Sequence, residues 1–295
     1  MSLRRYTTMK IGGNADQIIR YSDLEREPQR WMDLPSPIRI LGNGSNSLID
    51  DRGLKGSVVL MRSESANFEI LKESESHLLI RASAGTYLPS LAKSLAKQSW
   101  SGTEFMVGVP GTLGGAIVQN AGANDQEMKQ IVREVVALDL AQRTLLSFTN
   151  EQCEFSYRHS FFKNNPSYLI QSVTLELARR DALDCQASLD RNLNYRKQKT
   201  PWAQASLGSM YTRLETDSGI IYPGALIESC GLKSFRVGGA FVSEKHANYF
   251  INSGEASFED MYRLMLSVEK KVFEETGVRL QREIEVWSDR LAEFA

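Results

Sequence analysis

Gly108-Val109-Pro110-Gly111-Thr112-Leu113-Gly114-Gly115-Ala116 runs on to Asn120-Ala121-Gly122-Ala123, placing five glycines in the fifteen residues 108–122 of an otherwise apolar stretch. Glycine lacks a Cβ, so it permits positive φ and lets another backbone or a ligand come close. An ordinary loop does not need so much bare main chain; a ligand pressed against it does. A second stretch of this kind, Gly42-Asn43-Gly44-Ser45-Asn46, follows the strand-like Arg39-Ile40-Leu41 directly. Successive N–H groups in such a turn form a concave nest for an anion, and the Ser and Asn side chains add donors. Together the two stretches suit a diphosphate and the flat ring attached to it. A Rossmann reading of Gly42-x-Gly44 is poor, because Ser47 stands where the third glycine belongs and Ser47-Leu48-Ile49-Asp50-Asp51 opens no convincing helix. No GxxxxGK[ST] occurs, which excludes a P-loop NTPase.

Outward from these loops, residues 38 to about 177 read as short strand-like runs broken by glycines. Val58 to Met61, Leu78 to Ala82 and Leu145 to Phe148 are β-type runs. Val132, Val136, Leu138 and Leu140 are expected on one face of a strand, as are Leu169, Val173, Leu175 and Leu177. Leu88, Leu91 and Leu95 follow a helical stripe between them. In the last third, Ala182 to Lys199 reads as one helix and a connection. From Ser257, Phe258, Met261, Met265, Val268 and Val272 line a helix, with Ser257 and Asp260 as a capping box and Gly277 as its C′ residue. Val278, Leu280, Ile284 and Val286 then occupy one side of a strand, with Arg279, Gln281, Glu283, Glu285 and Trp287 on the other. The mixture is α+β, with a boundary expected near residue 180.

Composition narrows the class. A chain of 295 residues has length for about two domains. Its 42% hydrophobic and 24% charged residues are those of a globular protein. The net charge of −1 offers no basic excess for nucleic acid, and no apolar run is long enough for a transmembrane helix. The N-terminal residues carry no signal-peptide h-region. Cys153, Cys185 and Cys230 fit reduced thiols of a cytoplasmic protein rather than a disulfide framework, and His77, His159 and His246 show no metal-ligand spacing.

Chemistry-bearing residues are few. Arg158, in Ser156-Tyr157-Arg158-His159-Ser160, is a fixed cation suited to a carboxylate or phosphate, or an ordinary surface residue. Gly208-Ser209 lies in a run of small residues able to bring a hydroxyl against a ligand, but without the Gly-x-Ser-x-Gly of a serine hydrolase. Glu283 and Glu285 share a strand face, and the pattern does not choose between them. Val242 to Asn248 forms either the lip of a site or a plain loop.

In order along the chain, these motifs resemble those of the UDP-N-acetylenolpyruvoylglucosamine reductases. The match includes Thr8-Met9-Lys10-Ile11-Gly12-Gly13, Leu41 to Asn46, Ser101-Gly102-Thr103-Glu104-Phe105, Gly108 to Ala116, Asn120 to Ala123 and Phe155 to Arg158. It continues through Gly208-Ser209, Leu226-Ile227-Glu228, Gly231-Leu232-Lys233, Gly238-Gly239-Ala240 and Ser243 to Asn248, and ends with Gly277-Val278-x-Leu280-x-x-Glu283-Ile284. It spans residues 7 to 287, and the ordered set is specific where one segment would not be.

The resemblance implies an FAD-binding region of the vanillyl-alcohol-oxidase (PCMH) type over 1–180, with α+β subdomains of about 1–64 and 65–180. A C-terminal α+β substrate domain over 181–295 would follow. The compact length is similar to the shorter of the family's two forms. It implies non-covalent FAD on Gly42, Asn43, Gly44, Ser45, Asn46, Ser47, Gly108, Pro110, Gly111, Thr112, Gly114, Gly115, Asn120 and Gly122. Reduction by NADPH would be followed by hydride transfer from the flavin to the enolpyruvyl methylene of a UDP-sugar. The catalytic trio maps to Arg158, Ser209 and Glu283, and substrate contacts map to Tyr157, Arg213, Lys233, Lys245 and Asn248. The implied setting is a cytoplasmic enzyme of peptidoglycan precursor synthesis, with no metal, nucleic acid, membrane or obligate protein partner. The chain departs from the family pattern at Met210-Tyr211-Thr212-Arg213-Leu214, where Phe-Lys-Asn-Pro is usual after the residue that follows Gly-Ser. It departs again at Phe241, where glutamine is common, and at Thr200-Pro201, where Gln-Pro is. Two other readings are a flavin-linked oxidase and a catalytically silent nucleotide-binding protein. The first is disfavoured because all three histidines lie outside the glycine segments; the second is motivated by the changes after Ser209.

Overall fold

The computed structural model describes residues 2–63, 67–217 and 219–294. Main-chain packing divides the chain into two compact units: Met1–Val59 with Lys197–Ala295, and Leu60–Arg196. The division by compactness is therefore not the expected one at residue 180. The helix Ala182–Lys199 runs unbroken, with no separate connection, and most of it belongs with the residues before it. The finer limit expected between residues 64 and 65 lies outside the described residues.

The Leu60–Arg196 unit is built on one antiparallel sheet. Its strands run in the order Thr144–Thr149, Val132–Asp139, Tyr168–Arg179, His77–Ser83 and Phe68–Glu73, and Trp100–Ser101 pairs with the end of Tyr168–Arg179. Leu169, Val173, Leu175 and Leu177 are buried as their alternation requires. In Val132–Asp139 the expected face is wrong beyond its first residue. Val132, Val135, Ala137 and Asp139 are buried, while Val136 and Leu138 are half-buried. The register shifts between Val132 and Glu134 and again between Val136 and Ala137 against Tyr168–Arg179. A bulge inserts a residue and exchanges the faces, which a strict period of two does not foresee. The helix Leu88–Lys97 buries Leu88, Leu91 and Leu95 and packs against the 3-10 turn Glu104–Gly108.

The other unit gathers around the helix Phe258–Thr276. Ser257 caps it as read: its hydroxyl accepts from Asp260 N–H (3.0 Å), and the Asp260 carboxylate accepts from Ser257 N–H (3.0 Å). Gly277 closes it in the left-handed region at φ 71°. Phe258, Met261, Leu264, Met265, Val268 and Val272 are fully buried, each stabilising the fold by roughly 1.5–3 kcal/mol relative to exposure. They share a core with Met9, Leu48, Met210, Tyr211, Phe250 and Ile284. The strand expected over 278–287 is ladder-paired only at Glu285–Trp287, which lies parallel to Ser47–Ile49. Buried Asp50 fixes that pairing. Its carboxylate receives the Arg290 guanidinium through two N–H groups (3.0 and 3.1 Å) and the Ser288 hydroxyl (2.6 Å).

Candidate active site

The loop after Ile38–Leu41 turns at Gly44, whose φ is +58°. A Cβ there would meet Tyr6 O at 2.4 Å, and Gly44 O accepts from Thr8 N–H (3.1 Å). This glycine is thus required by the N-terminal segment laid across the loop. The Thr8 hydroxyl donates to Ser206 O (2.6 Å), tying the loop to the run that leads into Ser209. Asn46 makes the next link: its carbonyl accepts from Glu285 N–H (2.8 Å) and its side-chain amide donates to Glu283 O (3.1 Å). Glu283 N–H in turn donates to Met210 O (2.8 Å). Ser209, half-buried, is bridged to Tyr249, and Tyr211 to Arg282. Within this unit consecutive hydrogen bonds therefore join the glycine loop to Glu283 and to Met210, the residue after Ser209, although Asn46 and Glu283 are 237 residues apart.

Asn248, expected to touch substrate, holds this arrangement together. Its Oδ1 accepts from Tyr211 N–H (3.0 Å), its Nδ2 donates to Tyr211 O (2.8 Å) and its own carbonyl accepts from Met210 N–H (2.8 Å). The side-chain amide pairs with Tyr211 as a further peptide unit would. Asn248 N–H donates to His246 Nδ1 (3.2 Å), which requires the neutral ring. Burial holds the His246 imidazole below its ordinary pKa and favours that form. Of the other expected substrate contacts in this unit, the Arg213 guanidinium pairs with Glu215 (3.1 Å), Lys233 with Glu228 (2.5 Å), and the Lys245 ammonium donates to Lys197 O (2.7 Å).

In the Leu60–Arg196 unit the second glycine segment folds against the turn at Ala84–Tyr87. Leu88 N–H donates to Gly111 O, Leu113 N–H to Thr86 O and Gly114 N–H to Ala84 O, all at 2.8–3.0 Å. A Cβ on Gly114 would meet Ala84 Cβ at 2.9 Å, and one on Gly122 would meet Gln126 O at 2.5 Å. Gly108 lies against the Arg196 side chain. Packing within the protein therefore accounts for several of the glycines attributed above to a ligand. Gly115 differs: it is exposed, and a Cβ there would meet only Thr112 Oγ1, at 3.5 Å. In the turn that accepts from Leu113 N–H, the Thr86 hydroxyl is fully buried with no hydrogen-bond partner. A buried hydroxyl left unmatched costs free energy, so a segment with one open glycine, packed on a turn with an orphaned hydroxyl, fits a polar, phosphate-bearing group such as that of FAD.

Asn120 is wholly buried and its side chain is occupied by the protein. Nδ2 donates to Glu127 Oε2 (2.9 Å) and Ser156 O (3.0 Å), and Oδ1 accepts from Lys129 N–H (3.0 Å). It braces the tight turn Ser156–His159, closed by reciprocal main-chain bonds, at whose tip Arg158 adopts φ +53°. The Arg158 guanidinium lies over the Tyr157 ring (5.1 Å) and approaches Gly122 O (3.5 Å); the Lys163 ammonium donates to Arg158 O (2.9 Å). The residues after the turn are held by the mutual contacts of Phe148, Phe161, Phe162 and Tyr168. Thus Asn120, Gly122, Tyr157 and Arg158 are neighbours in this unit, while Ser209 and Glu283 belong to the other.

Residues missed in the sequence are Thr8, Lys163 and the pair Arg282–Glu269. Arg282 left a signal: it is the one charged residue in the alternating row of Leu280, Ile284 and Val286, and a charge in an apolar row needs a partner. Among the described residues no group of His, Cys, Asp or Glu is arranged to hold a metal ion. No described helix is long and apolar enough to cross a membrane.

Comparison with known proteins gives this geometry its class. Residues 32–146 match the FAD binding domain family, so the glycine segments lie in, or adjoin, a flavin-binding fold. Residues 200–287 match the UDP-N-acetylenolpyruvoylglucosamine reductase C-terminal domain. The chain is 37% identical to the UDP-N-acetylenolpyruvoylglucosamine reductase of Synechococcus sp. (strain JA-3-3Ab), over 95% of this chain and 88% of the relative. It is 35% identical to that of Clostridioides difficile (strain 630), over 96% and 91%. The crystal structure of the Thermus caldophilus UDP-N-acetylenolpyruvylglucosamine reductase superposes with a TM-score of 0.79 at 29% identity, over 98% of both chains. The chain belongs to the UDP-N-acetylenolpyruvoylglucosamine reductase family.

Proposed function

We infer that this chain is an FAD-containing, NADPH-dependent oxidoreductase that converts UDP-N-acetyl-3-O-(1-carboxyvinyl)-glucosamine to UDP-N-acetylmuramate, a step of peptidoglycan precursor synthesis. Identity of 37% over 95% of the chain to a reductase of that name carries the reading. The hydrogen-bonded path from the Asn46 loop through Glu283 to Met210 supports it, because it sets the proposed acid and hydroxyl beside one glycine loop. The remaining setting belongs to the same proposal: a cytoplasmic enzyme of cell-wall biogenesis, cell shape and division. FAD is held by the region 1–180 and the sugar nucleotide by 181–295. The partners are two small molecules, and no obligate protein partner, nucleic acid or membrane is needed.

FAD, held by the glycine segments, would supply the hydride-transfer chemistry between NADPH and the enolpyruvyl methylene carbon. The protein's part is electrostatic and protonic. As the methylene carbon gains hydride, negative charge moves onto the enolate and its carboxylate. The Arg158 guanidinium, a fixed cation, opposes that charge, and the Glu283 carboxyl donates a hydrogen bond to it in its protonated form. Loss of one such donor typically costs about 10²–10³ in rate. The Ser209 hydroxyl supplies the proton that completes the α-carbon; an unassisted hydroxyl is a poor acid, so it needs polar neighbours to do so. The Gly42–Ser47 loop and the Gly108–Gly115 segment, Gly115 and Thr86 foremost, hold the diphosphate and ring. Tyr157, Arg213, Lys233 and Lys245 bind the sugar nucleotide, and Asn248 serves the fold of the Ser209 segment instead.

The purified protein tests this directly. It should be yellow, release its flavin on acid precipitation and consume NADPH only when the enolpyruvyl sugar nucleotide is supplied. Ser209→Ala should keep flavin reduction by NADPH and lose substrate-driven reoxidation. Normal reoxidation in stopped-flow would remove Ser209 from the mechanism, and failure to bind flavin after FAD supplementation would defeat the assignment.

A further inference from the structure

Glu283 precedes the only ladder-paired strand of its segment, Glu285–Trp287, so a sheet does not fix its direction. Its main chain is held by two bonds to the Ser209 segment, Thr212 N–H to Gln281 O (2.9 Å) and Glu283 N–H to Met210 O (2.8 Å), and by the Asn46 side-chain amide at Glu283 O (3.1 Å). So short a pairing specifies register weakly, and a slip of one residue would send the carboxyl to the opposite face. A stronger constraint sits one residue earlier. The Arg282 guanidinium meets the Glu269 carboxylate fork to fork, Nε to Oε1 at 2.6 Å and Nη2 to Oε2 at 2.8 Å. Its Nη1 also donates to the Tyr262 hydroxyl (3.4 Å), and its Cζ lies 5.1 Å from that ring. Glu269 and Tyr262 are on the helix Phe258–Thr276, and Tyr211, paired with Arg282, donates its hydroxyl to Met265 O of the same helix (3.4 Å). Leu280, Ile284 and Val286 pack into the core on that side. Neighbouring side chains in extended backbone point oppositely, so pinning Arg282 to the helix turns Glu283 away from it.

We propose that Arg282 is a positioning residue for the reductase reaction. Its two-pronged pair with Glu269 fixes the register and facing of the Glu283 segment, so that the helix sets the reach of the Glu283 carboxyl. The proposal rests on Glu283 being the catalytic acid. A bidentate pair fixes orientation as well as distance, which a lysine at the same place does not.

The test uses the FAD-loaded protein and the variants Arg282→Met, Arg282→Lys, Glu283→Gln and the double variant of Arg282→Met with Glu283→Gln. A displacement of about 1 Å in a catalytic group costs on the order of 10²-fold. Arg282→Met should therefore lower kcat with the sugar nucleotide ten- to a hundredfold, while its KM and the rate of flavin reduction by NADPH stay within twofold. Arg282→Lys should recover only part of the loss. Adding Arg282→Met to Glu283→Gln should cost less than threefold, because the group being positioned is already gone. A readout independent of turnover is amide hydrogen exchange: in Arg282→Met, residues 279–284 should exchange faster while Phe258–Thr276 keeps its protection. The proposal is overturned by unchanged exchange at 279–284, by full multiplicative costs in the double variant, or by equal losses in both half-reactions. Normal turnover by Glu283→Gln would instead refute the reading of Glu283, and the positioning role with it. If Arg282→Met does not fold, Arg282→Lys carries the same exchange and kcat comparisons.

Discussion

Replacing Asn248 with alanine tests how the Ser209 segment is held. Asn248 is 5% exposed and Tyr211 1% exposed, so water does not readily replace the bonds between them. The substitution leaves Tyr211 N–H and Tyr211 O without partners. A buried polar group deprived of its partner costs about 1–3 kcal/mol, so the two together cost roughly 4 kcal/mol, placing the change among the severe ones. The main-chain bond from Met210 N–H to Asn248 O survives, so the local strand should loosen rather than vanish. Urea unfolding followed by tryptophan fluorescence is a suitable assay, because Trp31, Trp202 and Trp287 belong to the same compact unit as Asn248. Asn192→Ala, at an exposed amide bonded to Asn124, is the control and should move stability by less than about 0.5 kcal/mol. A loss below about 1 kcal/mol in Asn248→Ala would mean that the amide does not brace Tyr211.

Other outcomes follow from single contacts. Gly44→Ala should lower stability by more than about 2 kcal/mol, since it adds a clash with Tyr6 O to the cost of positive φ. Gly208→Ala, at φ +79° with no atom near its Cβ, should cost only about 1 kcal/mol; equal shifts in melting temperature would refute the clash. Burial alone would raise the Asp50 pKa, but hydrogen bonds from Arg290 and Ser288 outweigh it and hold the carboxyl below its ordinary value. Its contribution to stability is thus present above about pH 4 and lost as pH falls through the depressed pKa. The stability gap between the native chain and Arg290→Met should therefore narrow from pH 6 to pH 3, and a constant gap would contradict this. Cys153 and Cys185 are fully buried, and burial pushes the Cys153 thiol up to about 12. At pH 8 a thiol-disulfide reagent should label only Cys230 quickly, and all three cysteines in denaturant; rapid native labelling of two would count against this burial.

Much of the fold was legible in the sequence because its signals were local. The cap at Ser257, the stop at Gly277 and the stripe of Leu88, Leu91 and Leu95 each depend on residues within one or two turns, and each is found as read. What escaped depends on partners distant in sequence. The bulges of Val132–Asp139 arise against Tyr168–Arg179, so no period within the strand reports them. The glycines were read as bare for a ligand, yet Tyr6 O, Ala84 and Gln126 O occupy the space beside Gly44, Gly114 and Gly122. Asn248 and Asn120 carry ligand roles through the family resemblance; an amide serves a ligand or a main chain equally well, and the structure shows their side chains bonded within the protein. Arg282, in its apolar row, called for a counter-charge, but nothing local says that Glu269 on the helix Phe258–Thr276 supplies it.

The parallel pairing of Ser47–Ile49 with Glu285–Trp287 has a consequence for synthesis. The loop that begins this unit waits for a strand translated well over two hundred residues later, so the nascent chain cannot complete that unit while its last helix is still in the ribosome. The Leu60–Arg196 stretch, whose sheet draws all its strands from within that stretch, emerges whole before then and is free to fold first. A ribosome stalled after Arg196 has cleared its exit tunnel would therefore carry one finished unit and one open sheet edge, and that edge is where a chaperone would be needed.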